Sequence, residues 1–305
     1  MTLINPIFSI LITTKNRIAD LQFTLVKMQH LLDRRDVECV IFDDGSDDGT
    51  FDFVNDNYPK IILNRNQVSK GYLFCRNKML NETKADFAIS LDDDAHFITE
   101  NPLEFIQKHF EENNHCGLIA MRIFWGLEAP KEVSNSQQSH RVKGFVGCGH
   151  VWRMKAWRDI PNYPEWFKFY GEENFASLQL FKKNWKIHYV PQLFVQHRVD
   201  MKERSKSVKE FAFRYRRGIR ADWCNYFLFT PISKIPRKMA YSIWMQFKNK
   251  IFKGNFKIIK PLFLAILDLV LFIPKLIKHR NSLTLQEYIA FCELDEVKIY
   301  WQPEK

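Results

Sequence analysis

Over residues 7–92 the chain alternates four short apolar runs with three segments of helical spacing. "PIFSILITT", "VECVIF", "KIILN" and "DFAISL" are apolar and rich in β-branched residues, as buried strands are. Between the first two, Ile18, Leu21, Leu25, Met28 and Leu32 recur at helical intervals. "TFDFVNDNY" and "GYLFCRNKMLNET" read as two further helices. Such alternation requires crossover connections, which a mostly parallel sheet flanked by helices supplies. Further strands are predicted at "HCGLIAMRI", "FVGCGHVWR" and "WKIHYVP", a helix at "NFASLQLFKKN", and a polar loop from Gly126 to Lys143. The fold class is α/β and Rossmann-like.

The pattern fades near Val199, which divides the chain into an α/β domain, 1–200, and a helical, basic and aromatic C-terminal region, 201–305. Residues 201–280 hold 19 Lys and Arg against 4 Asp and Glu, a net of +15; the remainder has 26 against 31, a net of −5. The basic character therefore belongs to one segment. Its helical stretches are broken by Pro231, Pro236, Pro261 and Pro274. The apolar run Leu262 to Ile273 contains Asp268 and, as a helix, reaches roughly 18 Å, short of a ~30 Å hydrocarbon core. A basic, aromatic helix of that kind suits an anionic membrane surface. Packing on the α/β domain or on a partner chain is the competing reading. Nucleic acid is not expected, because no nucleic-acid module is recognisable. The six scattered cysteines form no CxxC pair, and the N-terminus lacks a secretory pattern. A cytoplasmic protein, peripheral at the cytoplasmic face of a membrane, is the expectation.

Two of the predicted strands end in acids: Asp43-Asp44, and Asp92-Asp93-Asp94. In open parallel sheets, ligands gather at the carboxyl ends of strands. Packed carboxylates repel one another, and a hard divalent cation relieves that cost while sharing phosphate oxygens. Mg²⁺ or Mn²⁺ is the expected cofactor. A solvated acidic turn or a helix cap is the plainer alternative for either cluster.

The order of motifs over residues 6–198 resembles family 2 glycosyltransferases of GT-A fold. "FSILITTKNR" is similar to that family's opening strand, and "VIFDDGSDDGT" to its nucleotide-binding turn. "NRNQVSKGYLFCRNKMLNETKADFAISLDDD" follows its Asn…Gly…Arg-Asn…Asp-x-Asp course. "FYGEENFASLQLFKKNWKIHYVPQLFVQH" follows its acidic helix, strand and terminal His.

The resemblance implies a nucleoside diphosphate-sugar donor and a hydroxyl acceptor on a glycan or lipid-linked glycan. It implies that Thr13, Asp43 and Asp44 meet the nucleotide, with Asp44 the preferred contact to its base. Lys70 could approach the diphosphate, or is a surface lysine. The resemblance also implies that Asp92 lies near the ribose and shares a metal with Asp94, that Asp93 assists either one, and that His197 completes the metal shell or touches the diphosphate; a lone His at a strand end is otherwise structural. Arg76 and Asn77 match a family pair. Glu173, beside Glu172, matches the general base of inverting members; two acids at a helix start are also favourable in themselves. The chain departs from the family in having Glu where Asp is common, Phe175 where an acid is frequent, and Gln179 where Arg is frequent. Gly144, Gly147 and Gly149 permit close approach of a ligand or form a bulge. Trp166 and Tyr170 suit a sugar face or a core. His96 and His150 receive no role. Two rival readings are a metal-dependent nucleotidyltransferase and a catalytically silent glycan- or membrane-binding protein of the same fold.

Overall fold

The structure is a computed structural model that describes residues 6–131, 133, 136–200 and 208–297. Parts of the expected C-terminal region, 201–207 and 298–305, lie outside the described residues. Two compact units are present: one comprises residues 1–168, 179–199 and 294–305, the other 169–178 and 200–293. Residues 169–178, within the expected catalytic domain, thus group with the C-terminal helices.

The first unit opens with β1 (Phe8–Thr14), α1 (Ile18–Leu32), β2 (Val37–Asp43), α2 (Thr50–Asn57), β3 (Ile62–Arg65), α3 (Tyr72–Glu82) and β4 (Phe87–Asp92). These are the elements the alternation predicts. Then follow β5 (Ala95–Phe97), α4 (Pro102–Glu112), β6 (Cys116–Trp125), β7 (His140–Val142), β8 (Gly149–Arg153) and α5 (Met154–Arg158). Helix α6 (Glu172–Lys182) and β9 (Lys186–His197) complete the α/β pattern. β5, α4, β7 and α5 are additional to the predicted elements. Helix α4 has Pro in its first turn and buries Leu103, Ile106 and Phe110 on one side.

The sheet order is β3-β2-β1-β4-β8-β6-β9-β5, with β7 also pairing β9. β3, β2, β1 and β4 are mutually parallel, as are β6 and β9. β8 runs antiparallel between β4 and β6, and β5 and β7 are antiparallel to β9. The sheet is therefore parallel where the crossovers are and mixed beyond them. β1 lies between β2 and β4 with its apolar residues buried: Ile10 and Ile12 join Leu21, Leu25 and Met28 of α1 in one core cluster. A strand buried on both faces accepts apolar residues in succession, and "FSILI" is such a run.

Register places the functional edge. Thr13 of β1 is opposite Phe42 of β2 and Asp92 of β4, and Thr14 is opposite Asp43. Both acidic clusters consequently end level on one side of the sheet. β9 reaches the same edge by a longer route. Its pairing with β6 shifts register between Val190 and Phe194, where Pro191 lies. A bulge tolerates a proline that a regular ladder would not. Beyond it the strand continues to His197, which pairs Ala95, the residue after Asp94. No described helix is long and apolar enough to cross a membrane.

β6 also carries a packing constraint. A Cβ on Gly117 would stand 2.8 Å from Ala156 Cβ and 3.0 Å from Trp185 Cβ. Both are atoms next to the backbone, so neither can swing away. Gly117→Ala should destabilise the protein by ~1–3 kcal/mol through overpacking, read as a lower midpoint in urea unfolding at unchanged slope.

Candidate active site

At the tip of β4 the three aspartates have three different sets of partners. Asp92 is partly exposed and takes a hydrogen bond from Arg76, whose guanidinium also reaches Gly147 O at 3.1 Å. Asp93 is buried; its carboxylate accepts from Thr14 Oγ1 at 2.9 Å and its carbonyl accepts from Thr24 Oγ1 at 2.7 Å. Burial, opposed by Arg17 and abetted by the neighbouring acids, pushes the Asp93 carboxyl up to about 8. Asp93 therefore ties β1 and α1 to the acidic turn.

Asp94 is almost fully buried, with Oδ1 3.0 Å from His197 Nε2 and Oδ2 2.7 Å from Arg17 Nη2. Burial alone would raise its pKa; His197 and Arg17 override that and hold it at about 2. For His197 burial works downward, and the opposing pull of Cys148 and Asp94 prevails, taking the imidazole up to about 11. Trp125 packs edge-on against the His197 ring at 5.2 Å, fixing its plane.

Asp92, Asp94 and His197 each offer a ligand atom, and these atoms lie within 4.8 Å of one another. Two carboxylates and an imidazole form an oxygen-rich set that fits Mn²⁺ or Mg²⁺. A metal-bound histidine must be neutral, so metal loading would require a deprotonated His197.

Arg17 is a member of this edge that the acid pattern does not reveal. It lies just before α1, held by Asp20 at 2.8 Å, with Nε 3.3 Å from Asp93. The signal for it is slight: a single arginine beyond the end of the first strand, on the edge where acids cluster. Arg76 was matched by resemblance only; the structure gives it a physical task beside Asp92.

The second acidic cluster is internally engaged. Asp43 Oδ1 accepts from Ser46 N at 2.8 Å, an Asx-type turn, and Arg65 stands 3.4 Å from Oδ2. Gly45 takes φ +79° there, a region open to glycine, with Ser69 N only 3.2 Å from where a Cβ would be. Asp44 accepts from four donors: Asn66 Nδ2 at 2.7 Å, Ser69 Oγ at 2.6 Å, Lys70 N at 2.8 Å and Gly71 N at 2.8 Å. That uses the lone-pair capacity of a carboxylate. In this conformation Asp44 fastens the loop before α3 and leaves little acceptor capacity for a base. Lys70 is exposed, its Nζ 4.6 Å from the Phe74 ring centre. Thr13 Oγ1, level with Asp92, has no hydrogen-bond partner among the described residues.

Glu172 and Glu173 open α6, in the other unit from the aspartates. Glu172 is buried, and Glu173 is partly exposed. The backbone leading to them is unusual: Tyr170 has φ +67° and Gly171 φ +85°. Asn225 Nδ2 donates to Gly171 O at 2.9 Å, securing that turn. A non-glycine residue at positive φ costs energy and needs surroundings that hold it.

Of the remaining candidates, Gly149 and Asn77 are engaged within the fold, whereas a Cβ on Gly144 would meet nothing within 4 Å. A Cβ on Gly149 would meet Ile123 Cδ1 at 2.9 Å, so this glycine fits β8 against β6. Asn77 donates to Tyr163 O at 2.9 Å, and His150 is buried among Phe145 and Trp152. A second trio, His109, Cys116 and His188, also gathers within 4.8 Å. Burial pushes the Cys116 thiol up to about 12 and, with His109, Lys186 and Arg141, brings His188 down to about 4. The two rings of this trio stand 3.0 Å apart at His109 Nε2 and His188 Nδ1.

The family model described as glycosyl transferase family 2 matches residues 9–191. No curated protein matches the chain by sequence. Among solved structures, it is similar to the mannosyltransferase PcManGT of Pyrobaculum calidifontis in complex with GDP-Man and Mn²⁺. The TM-score is 0.55 and the identity 13%, over 95% of this chain and 79% of that one. TarS 1–349 of S. aureus in complex with UDP matches with TM-score 0.51 and 17% identity, over 79% and 72%. GalNAc-T7 with UDP, GalNAc and Mn²⁺ matches with TM-score 0.52 and 16% identity, over 64% and 43%. The chain spans 63% and 43% of two further TarS chains. At these identities the likeness shows the fold, which is GT-A.

The Asp44 cluster makes a pH-dependent contribution. Burial would raise this carboxyl, but Ser69, Lys70, Asn66 and Gly71 together lower it. A depressed folded pKa gives stability that is fully present above the unfolded value of about 3.9 and is lost as pH falls through the folded value. Asp44→Asn should flatten that acid limb in urea titrations between pH 2 and 6. Its amide would also face a donor, costing ~1–3 kcal/mol at neutral pH.

Proposed function

We propose a function from one premise: the chain belongs to glycosyl transferase family 2. The reading is metal-dependent, inverting transfer of a sugar from a nucleoside diphosphate-sugar to a hydroxyl of a glycan or lipid-linked glycan. The observation that carries it is the convergence of Asp92, Asp94 and His197 at the carboxyl edge of the sheet. Neighbours of the same fold are described in complex with GDP-Man and Mn²⁺, or with UDP.

Asp92, Asp94 and His197 would hold the cation, which supplies Lewis-acid neutralisation of the departing diphosphate. Arg17 adds fixed positive charge at the same edge, and its hold on Asp94 keeps that carboxylate ionised. Arg76 fixes Asp92 through one oxygen, leaving the other turned toward His197 at 3.8 Å. Thr13 brings a hydroxyl with unspent hydrogen-bonding capacity, suited to the nucleoside. The Asp43–Asp44 loop shapes the nucleotide side of the edge, and Lys70 extends from it into solvent. Asp93 keeps the turn in place.

Glu173 is the general base. As the acceptor oxygen attacks the anomeric carbon, the bond from that carbon to the diphosphate oxygen breaks. The acceptor proton passes to the Glu173 carboxylate. Attack opposite the leaving group inverts the anomeric centre. Glu172, buried at the start of the same helix, positions that turn.

A panel of sugar nucleotides, read by thermal shift with and without Mn²⁺, identifies the donor. Release of nucleoside diphosphate on adding acceptor supports transfer. Pyrophosphate release instead indicates nucleotidyl transfer, and neither product indicates a silent binding protein. Asp94→Asn should abolish the Mn²⁺-dependent donor shift, since losing a ligand costs at least the ~10–100-fold in metal affinity typical of outer-sphere partners. Glu173→Gln should keep donor affinity and lower kcat by ~10²–10⁴-fold. Full transfer by Glu173→Gln would move the base role to Glu172.

A further inference from the structure

The second unit contains α7 (Val208–Phe229), α8 (Ile235–Gln246), α9 (Ile259–Leu271), α10 (Ile273–His279) and α11 (Leu285–Cys292). Helix α9 packs along α7 through Pro261, Leu262, Ala265 and Leu269. On the same side Asp268 receives Arg216 at 2.6 and 2.8 Å and lies 3.4 Å from Arg220. That side alone accounts for one apolar stripe.

The other side of α9 is also apolar. Ile259, Phe263, Ile266, Leu267, Val270 and Leu271 are exposed, Phe263 by 59% and Leu271 by 74%. At 3.6 residues per turn they share one face, opposite the packed one. Phe252 and Phe256, just before the helix, are exposed by 68% and 65%, and Ile277 of α10 by 73%. A helix that is apolar all round is normally covered all round. Contiguous exposed apolar surface of this kind marks a docking site.

Charge identifies the partner. Exposed Lys253, Lys257 and Lys260 stand at one end of the stripe, and Lys275 and Lys278 beyond the other. Residues 231–280 contain 11 Lys and Arg and a single acid, Asp268, which is buried in its ion pairs. A second copy docked here would bring two lysine borders together. An anionic headgroup layer neutralises each lysine for about 1 kcal/mol and gives the aromatic and aliphatic side chains an acyl boundary to enter. Long lysine stems reach up to headgroups while the helix lies below them. The 13-residue α9, about 20 Å long, is too short to cross and lies in the plane of the interface.

We propose that the outer face of α9, flanked by Phe252, Phe256 and Ile277 and bordered by lysines, docks on an anionic lipid bilayer. This is independent of the donor reading, because the face belongs wholly to the second unit and its test needs no sugar nucleotide.

The full chain is floated with vesicles of phosphatidylcholine alone or with a third phosphatidylglycerol, at low and high salt. Binding should favour the anionic vesicles at least ~10-fold and weaken with salt. Phe263→Asp with Leu271→Asp should lose flotation on both, with far-UV circular dichroism and Tm unchanged because both side chains are exposed. Lys253→Glu with Lys257→Glu and Lys260→Glu should lose the anionic preference. Wild-type protein that does not float, or a double aspartate variant that floats as well as wild type, overturns the proposal. So does a wild-type dimer by light scattering that fails to float and that Leu271→Asp splits into monomers, which assigns the face to a second copy.

Discussion

Three consecutive aspartates at a buried strand end repel one another, and the fold tolerates them only by giving each a separate electrostatic environment. Arg76 takes Asp92, leaving it partly open to solvent. Burial raises the Asp93 carboxyl against the opposing pull of Arg17 and the Thr14 hydrogen bond, which sets this acid apart from its two neighbours. Arg17 and His197 bracket Asp94 and keep it ionised. The edge therefore brings the carboxylates of Asp92 and Asp94 together with the His197 imidazole. Were the Asp93 side chain to point outward, it would join the other two acids, and Thr14 would lose the carboxylate acceptor that ties β1 to the turn.

How much of this the sequence discloses follows from the range of the interactions. The alternation of β1 to β4 with α1 to α3 is legible because period and β-branching are local, and the acids are adjacent to the runs they terminate. The approach of His197 depends on pairings far apart in the chain: β5 with β9, β9 with β6, and the shift at Pro191. Resemblance, rather than spacing, supplied it. Arg17 is 77 residues from Asp94 and carries no local signature of the contact. Asp44 shows the opposite limit. Its position in a turn is visible, but only coordinates show four protein donors on its carboxylate. The mixed direction of β8 is equally unreadable, since a five-residue buried strand looks the same either way round.

The acidic helix poses a different question. Tyr170 and Gly171 both have positive φ immediately before Glu172, and Asn225 of α7 secures the Gly171 carbonyl. This turn is thus held by the helices of the second unit, to which residues 169–178 belong. Placing two acids at a helix start is electrostatically favourable, but that alone does not require a strained approach to it. Holding tyrosine in a costly conformation is easier to understand where the direction of the following carboxylates matters. The substitution of Glu for the commoner Asp adds a methylene of reach, and the turn's geometry governs where that reach is directed.

Charge divides the chain in two. The segment 201–280 carries a net +15 and the rest a net −5, so the +10 of the whole describes neither. An acidic strand edge is suited to a cation and excludes close approach by anions unless one is bound. A lysine-bordered apolar helix has the reverse preference. Asp268 illustrates how strictly the division is kept: the one acid within residues 231–280 is turned inward onto Arg216 and Arg220. Inward placement joins α9 to α7 and removes negative charge from the exposed face. The same residue that interrupts the apolar run in the sequence, and that argues against a membrane crossing, leaves the outer stripe of α9 free of acid.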